Sequence, residues 1–480
     1  MPKRYISAIS IGSSRIKGAV GCIDTATGSL TVLAIDEQPI SGSVRYGWVN
    51  NVEEVSNHIA GIVARLQAVQ AVAPRKIESV YVGISGRSLA SNPHKVSLRL
   101  QGEQKITADT MAMLQRDAYE SFHTDYDIVG IMPGDFTVDN IPTVNPVGSY
   151  GNTVAGTYNI FTCRPQLLRN IHRVFDDRLS LDIAGTVILP VAESELVLTS
   201  DERRLGCMLV DLGSETTTVS IYKDGELRYL ATIPIGGRNI TRDIASLGVT
   251  EERAEDFKVL YGDAMPDESA TVPPAAVGDI LSDIVVGHYI QARAGEIAAN
   301  IMAHVDYAGM RLSDLTAGII LVGGGARLRN FGHLIENESK LHVRIGVPSS
   351  NVRIADSSIQ PVREVDIISL LNSSVVMGSD VECVVSPVIE PRPVNVQPSR
   401  SDAYEGTPGR QGYVIDDTDD DSDMTLFDDD PDPDDLPEFE TPERQVKKKP
   451  IPEPQKPSRW ISIRDRIIHV MKGPDEDDDE

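Results

Sequence analysis

The sequence predicts an α/β protein built by internal duplication, with two α/β halves facing a cleft and a polar tail beyond them. Three observations carry this prediction. A strand, a tight glycine turn and a second strand occur twice, as "AISIGSSRIKGAV" and "MLVDLGSETTTVSIY", about 200 residues apart. Strand-like and helix-like patterns alternate up to about residue 385. Beyond that point the composition shifts abruptly to Pro, Asp, Glu and Ser with few aromatics, the signature of a disordered segment.

The first half opens with "YISAISIG", "RIKGAVGCID" and "LTVLAIDEQ", which read as a meander of strands. "NVEEVSNHIAGIVARLQAV" follows as a helix, because Val55, Ile59, Ile62, Val63 and Leu66 recur at helical spacing and give it a core-facing side. "IESVYVGISG" is a further strand ending in glycine. The second half repeats the meander in "LGCMLVDLGSETTTVSIYKDGELRYLATIPIGG", where "KDGE" is the turn of a hairpin. A third glycine cluster closes this half: "GIILVGGGARLRN", a buried strand running into Gly323, Gly324 and Gly325.

The chain has 480 residues, enough for two or more domains with full cores. Its net charge of -26 is local. Residues 416–443 hold 15 Asp/Glu and no Lys/Arg, and residues 474–480 hold six more, so the remainder carries about 50 acids against 45 bases. No basic surplus exists to neutralise phosphodiesters, which argues against a nucleic-acid partner. Four scattered cysteines, Cys22, Cys163, Cys207 and Cys383, form no metal-ligand spacing and fit a reducing compartment. The N-terminal apolar run is too short and polar for a signal peptide, and no stretch of 18 apolar residues is present to span a bilayer.

Glycine turns between strands bind phosphate because the missing side chain lets backbone N–H groups converge on an anion. In "VDLGSETTT", Asp211 ends an apolar strand, Gly213 makes the turn, and Thr216 and Thr217 add hydroxyls. An Asp there can accept hydrogen bonds from the waters of a Mg²⁺ ion. Taken alone, each loop is also readable as an ordinary hairpin, and the third cluster as a strand-to-helix turn. That cluster fits neither GxxxxGK[ST] nor GxGxxG, so P-loop and Rossmann assignments fall away.

The three loops, in this order, resemble the actin/Hsp70/sugar-kinase superfamily. Further motifs narrow the resemblance to the bacterial cell-division FtsA family. They are "NPVGSYG" (145–151), "VILPVAESELVLTSDERRLGCMLVDLGSETTT", "IPIGGRNITRDIA" (233–245), "AEDFKVLYGDA" (254–264) and "VRIGVP" (343–348). The resemblance covers roughly residues 5–380. It implies an actin-like fold of duplicated ribonuclease-H-type domains with an inserted subdomain, ATP and Mg²⁺ as ligands, and a division adaptor that polymerises and tethers the FtsZ ring. Its domains would be 1–83 with 165–199 (subdomain 1A), 84–164 (inserted 1C), 200–233 with 316–385 (2A) and 234–315 (2B).

Residue by residue, the resemblance implies that Gly12, Ser13 and Ser14 meet the nucleotide's phosphates from one half. Gly213, Ser214, Thr216 and Thr217 would meet them from the other, with Gly236 and Gly237 alongside. Asp211 would face the metal through water. Glu255 and Lys258 would clasp adenosine, although an i,i+3 Glu/Lys pair also reads as a solvated helix surface. Gly323, Gly324 and Gly325 would approach from below. Two departures stand out. Ser10 replaces the usual Asp of the first loop, which weakens the metal site. Leu189, before Pro190, replaces an acid that orients water in hydrolytic relatives, and losing such general-base help costs ~10²–10⁴ in rate. No catalytic residue is expected, and turnover is at most slow.

Subdomain 2B in this family binds the C-terminal peptide of FtsZ, and "YIQARAGEI" (289–297) makes Arg293 a candidate contact, or else an exposed surface charge. Subdomain 1C would meet other copies and other division proteins. After the acidic linker 386–456, "PSRWISIRDRIIHVMKG" (457–473) places Trp460, Ile463, Ile467, Val470 and Met471 on one helical face. Such a helix lies on anionic lipid, helped by Arg459, Arg464, Arg466 and Lys472, or docks in a partner's groove. In the family it targets the cytoplasmic face of the cell membrane at the division site. The acidic tail 474–480 would be repelled by anionic lipid. Competing readings are a pilus-assembly relative, a nucleotide-independent membrane scaffold, a sugar-kinase-like phosphotransferase lacking its catalytic Asp, and a chaperone-like ATPase lacking its substrate domain.

Overall fold

The computed structural model describes residues 3–266, 283–377 and 379–386. The expected amphipathic helix, the acidic tail and nearly all of the linker lie outside the described residues.

Two sheets share one topology. In the first, Lys3–Ile11, Arg15–Asp24 and Leu30–Pro39 form an antiparallel meander. Ser79–Ile84 then pairs parallel with the first strand, and Asp182–Ile188 pairs parallel with Ser79–Ile84. In the second sheet, Cys207–Leu212, Thr217–Lys223 and Glu226–Ile233 repeat the meander. Gly318–Val322 and Val343–Ile345 repeat the two parallel additions. Both sheets therefore run third, second, first, fourth, fifth strand in order. Parallel additions need helical crossovers, which is why each half interleaves strands with helices.

The helix Val52–Ala68 forms where its periodicity predicts. The Asn51 side chain caps it by accepting the Glu54 N–H at 3.1 Å, and Val55, Ile59, Ile62 and Leu66 face the first core. The hairpin at Asp224–Gly225 turns with positive φ at both residues, the conformation a two-residue turn requires. Between Ser79–Ile84 and Asp182–Ile188 the chain forms the long strands Ala90–Lys105, Asp127–Val138 and Tyr150–Cys163. They surround a small core of their own with Leu114 and Ala118 of the helix Ala108–Ser121. This sheet joins the second one through the Ala231–Ala90 pair, supported by the buried Asn159 amide donating to the Leu227 carbonyl at 2.7 Å. Among the described residues no helix is long and apolar enough to cross a membrane.

A histidine ring lies in the core of the second half. His304, on the helix Asp283–Tyr307, is fully buried and shares a 2.8 Å hydrogen bond between Nδ1 and the Tyr229 hydroxyl. Its Nε2 has no partner, and burial pushes the ring down to about 4 from an ordinary 6.5. The unfolded chain thus takes up a proton that the folded chain refuses. This contribution to stability is complete above pH 6.5 and is lost as pH falls from there toward 4. The loss is on the order of 3 kcal/mol. Urea unfolding followed between pH 4.5 and 7.5 will show His304→Gln with a shallower pH dependence than the natural protein. Parallel profiles would place the acid sensitivity elsewhere.

Candidate functional site

The two meanders turn in the same way. In the first, Gly12 N–H donates to the Arg15 carbonyl at 3.0 Å; in the second, Gly213 N–H donates to the Thr216 carbonyl at 2.9 Å. A Cβ on either glycine would stand 3.0 Å from the carbonyl that closes its turn, so a side chain at either position would crowd it. The sequence repeat is therefore a repeat of backbone geometry.

The rest of the predicted set assembles around the second turn. The Gly237 and Arg238 N–H groups, at the start of the helix Gly237–Ala245, donate to the Gly213 and Ser214 carbonyls at 3.0 and 2.7 Å. Gly236 lies so close that a Cβ there would come within 2.6 Å of the Ser214 carbonyl. Lys258, on the helix Glu251–Tyr261, donates to the Gly237 carbonyl (3.1 Å), the Thr241 hydroxyl (2.9 Å) and Glu255 (2.6 Å). Its side chain is only 15% exposed, whereas that of Glu255 is 49% exposed, so the lysine end of this i,i+3 pair is packed and the glutamate end reaches solvent. Burial lowers the Lys258 pKa against the pull of Glu255.

The third glycine cluster lies against Asp211 and Leu212. Gly323 has φ +86, and a Cβ there would fall 2.3 Å from Asp211 Oδ1. A Cβ on Gly325 would fall 2.5 Å from Leu212 Cγ, whereas Gly324 faces open space. The three glycines thus divide the work: two permit close packing and the middle one leaves room. Gly237 and Gly325 approach within 4.0 Å, measured from a Cβ built on Gly237 to the Gly325 Cα, so the second and third loops are continuous.

In the first turn, the Ser13 hydroxyl is buried and accepts the Gly47 N–H at 3.1 Å, while Ser14 is exposed. Ser214 and Thr216 are partly exposed. Thr217, grouped with the phosphate contacts by resemblance, is fully buried and donates its hydroxyl to the Ile235 carbonyl at 2.7 Å. Strand alternation turns its side chain away from that of Thr216. Arg293 stands apart from the loops. It forms a two-pronged pair with Asp243 at 2.5 and 2.9 Å and a second pair with Glu296 at 2.6 Å, and these partners raise its pKa.

Several residues that sequence reasoning passed over complete the site. Lys17 lies opposite Ser10 in the first hairpin and pairs with Asp366 (2.8 Å) and Glu364 (2.9 Å). Burial works against its charge, but the two carboxylates outweigh burial and raise its pKa. Glu193, on the helix Leu189–Val197, is 1% exposed, and neither carboxylate oxygen has a hydrogen-bond partner. Burial, then Asp211 and Asp366, drive its pKa well above the ordinary carboxylate range. Asp211 is pushed up to about 7, first by burial and then by Asp366, against the pull of Lys17. Glu215, inside the second turn, is also 1% exposed. It accepts the Tyr46 N–H at 2.7 Å and pairs with Arg45 (2.9 Å) and Arg242 (3.2 Å). The one signal available in the sequence was an acid inside an apolar run, as at Glu193 in "VILPVAESELVL".

Comparison with known proteins agrees with this architecture. A family model described as cell division protein FtsA matches residues 208–363, which include the second and third loops. The cell division protein FtsA of Porphyromonas gingivalis is 30% identical over 332 residues, covering 68% of this chain and 69% of the relative. That of Pseudomonas aeruginosa is 28% identical over 369 residues, covering 75% and 87%. Among solved structures, a chain of the PilM-PilN type IV pilus biogenesis complex superposes with a TM-score of 0.55 at 14% identity, over 78% of this chain and 98% of that one. That last likeness concerns the fold, which is actin-like, with one ribonuclease-H-type sheet in each half. On the shared sequence and the twice-built hairpin site, this chain belongs to the FtsA family of cell division proteins.

Proposed function

We propose that this protein is an ATP-binding, filament-forming adaptor that ties the FtsZ ring to the cytoplasmic membrane during division. The nucleotide part is carried by one observation: the second and third glycine loops meet beside the Lys258–Glu255 pair, with Gly324 facing open space. Backbone N–H groups around Gly12, Ser13 and Ser14, and around Gly213, Ser214 and Thr216, would hold the phosphates. Lys258 and Glu255 would grip the sugar and base end, with Gly323, Gly324 and Gly325 beneath it. Asp211 would accept hydrogen bonds from the waters of a Mg²⁺ ion, which supplies neutralising charge at the phosphates. The residues present fit such an ion, since the Glu193 carboxylate nearby is buried without a partner and a cation's charge would satisfy it. With Leu189 in place of an acid, hydrolysis is slow and the nucleotide acts as a switch.

The inserted segment supports contacts between copies and with other division proteins, because Ile141, Val144 and Tyr150 are largely exposed on it. Arg293 is the proposed contact for the acidic FtsZ peptide, on the face shared by the helices Gly237–Ala245 and Asp283–Tyr307. Residues 457–473 are the proposed lipid-binding segment.

Three measurements test this reading. Displacement of a fluorescent ATP analogue will show Gly324→Leu binding ATP at least about tenfold more weakly than the natural protein. Its thermal stability will be nearly unchanged, because the new side chain enters open space; equal affinity would leave a nucleotide-independent scaffold as the reading. Pelleting with phosphatidylglycerol-containing liposomes will lose the protein when residues 457–473 are deleted. Retention of the deleted protein in the pellet would move membrane contact elsewhere. Anisotropy of a labelled FtsZ C-terminal peptide will show Arg293→Ala weakening binding by about tenfold, in the range of a lost charge-assisted contact. An unchanged affinity would assign Arg293 to the Asp243 pair alone.

A further inference from the structure

Ser10 removes a carboxylate from the first loop and Leu189 removes one from the start of the helix Leu189–Val197. Space next to both positions is nevertheless acidic. Asp366, on the helix Val365–Val376, accepts a hydrogen bond from the Ser10 hydroxyl at 3.3 Å. It therefore lies one hydrogen bond away from the position of the missing acid. Glu193 follows Leu189 by four residues, so the two share a helix face, and helical side chains lean toward the N-terminus. From there Glu193 interacts electrostatically with Asp211, Asp366 and Lys17.

The charges are met unevenly. Glu364 pairs with both Lys17 (2.9 Å) and Arg363 (3.4 Å), and Asp366 pairs with Lys17 (2.8 Å), whereas Glu193 has a partner on neither oxygen. Glu193 is 1% exposed with both oxygens unpartnered, an arrangement that is costly if ionised and is otherwise met by a proton or a cation. Among the described residues no three such groups stand close enough to ligate a metal directly. A hydrated ion suits that spacing, since Mg²⁺ gives up its waters reluctantly and is often held through them.

We propose that Glu193 and Asp366 replace, in space, the carboxylates absent at positions 10 and 189, and with Asp211 hold a hydrated divalent cation through its waters. Lys17 fixes the Asp366 side chain for this role by its 2.8 Å pair. The inference rests on the nucleotide-site reading for its biological meaning, but not for its test. Metal dependence would then survive the loss of the first-loop acid, carried by residues that lie far from it in the chain.

The probe is Mn²⁺, followed by loss of the free-ion electron paramagnetic resonance signal on the full-length protein, with and without a non-hydrolysable ATP analogue, and with Mg²⁺ as competitor. The natural protein takes up one Mn²⁺ that Mg²⁺ displaces. Glu193→Gln and Asp366→Asn each weaken uptake by about tenfold or more, as expected for a lost charged contact. Glu193→Gln should fold well, because it removes an unpaired buried charge, and circular dichroism checks this. Two outcomes overturn the proposal: no Mn²⁺ uptake by the natural protein under either condition, or unchanged uptake in both variants with a raised Tm in Glu193→Gln, the mark of a protonated structural acid. Nucleotide binding is read separately in EDTA. Its failure there and with metal would sink the ATP reading, while Mn²⁺ uptake without nucleotide would still decide the cation site.

Discussion

The site depends on the ring of contacts around Glu215. This carboxylate belongs to the turn of the second hairpin, yet the Tyr46 N–H and the Arg45 guanidinium that bind it come from the first half. The next residue, Gly47, donates its N–H to the Ser13 hydroxyl of the first hairpin. A single stretch, residues 45–47, therefore ties both glycine turns together. Arg242 completes the ring from the helix behind the second turn, and Arg238 lies 3.6 Å away. A buried carboxylate paired this fully is held in one place, and breaking such a pair typically costs ~3–5 kcal/mol because the remaining charges are left uncompensated. The relative placement of the two hairpins is thereby a matter of charge, not only of apolar packing.

The fold was legible in the sequence to the extent that it is written in local patterns. Alternation and glycine turns gave both meanders, and helical spacing gave Val52–Ala68, because these signals report which face is buried. The glycine loops were legible for the same reason, since Gly12 and Gly213 answer a backbone requirement that no other residue meets as easily. The Lys258–Glu255 pair was ambiguous, as spacing alone cannot tell a packed pair from a solvated one. What decided it was Thr241 and Gly237, which come from a different helix. Thr217 illustrates the opposite limit. Adjacent threonines look alike in sequence, but Thr216 closes the turn with its carbonyl while Thr217 opens the strand and donates its hydroxyl to the Ile235 carbonyl.

Lys17, Glu193 and Asp366 were illegible because their significance is a property of their meeting. They are contributed by a hairpin, an interior helix and the last long helix of the body, and no window of sequence contains any two of the three. Each has an ordinary local explanation: a strand-end lysine, an acid in a short helix, an acid in a first helical turn. Only the tertiary structure brings them to one place.

Glu193 and Glu215 share nearly the same burial and have opposite surroundings. Glu215 receives an N–H and a ring of arginines, so its burial is accounted for by the protein itself. Glu193 receives no hydrogen bond, and two other carboxylates raise the cost of its charge. Buried polar groups in native proteins are overwhelmingly paired, so an exception calls for a physical reason. A purely structural role gives little reason, since an apolar residue of similar size would fill that space without the penalty. The sequence supplies apolar residues on either side, at Ala192 and Leu196, so an acid at 193 is not dictated by the helix. The imbalance is resolved if the charge that Glu193 lacks comes from outside the chain, beside Asp211 and Asp366.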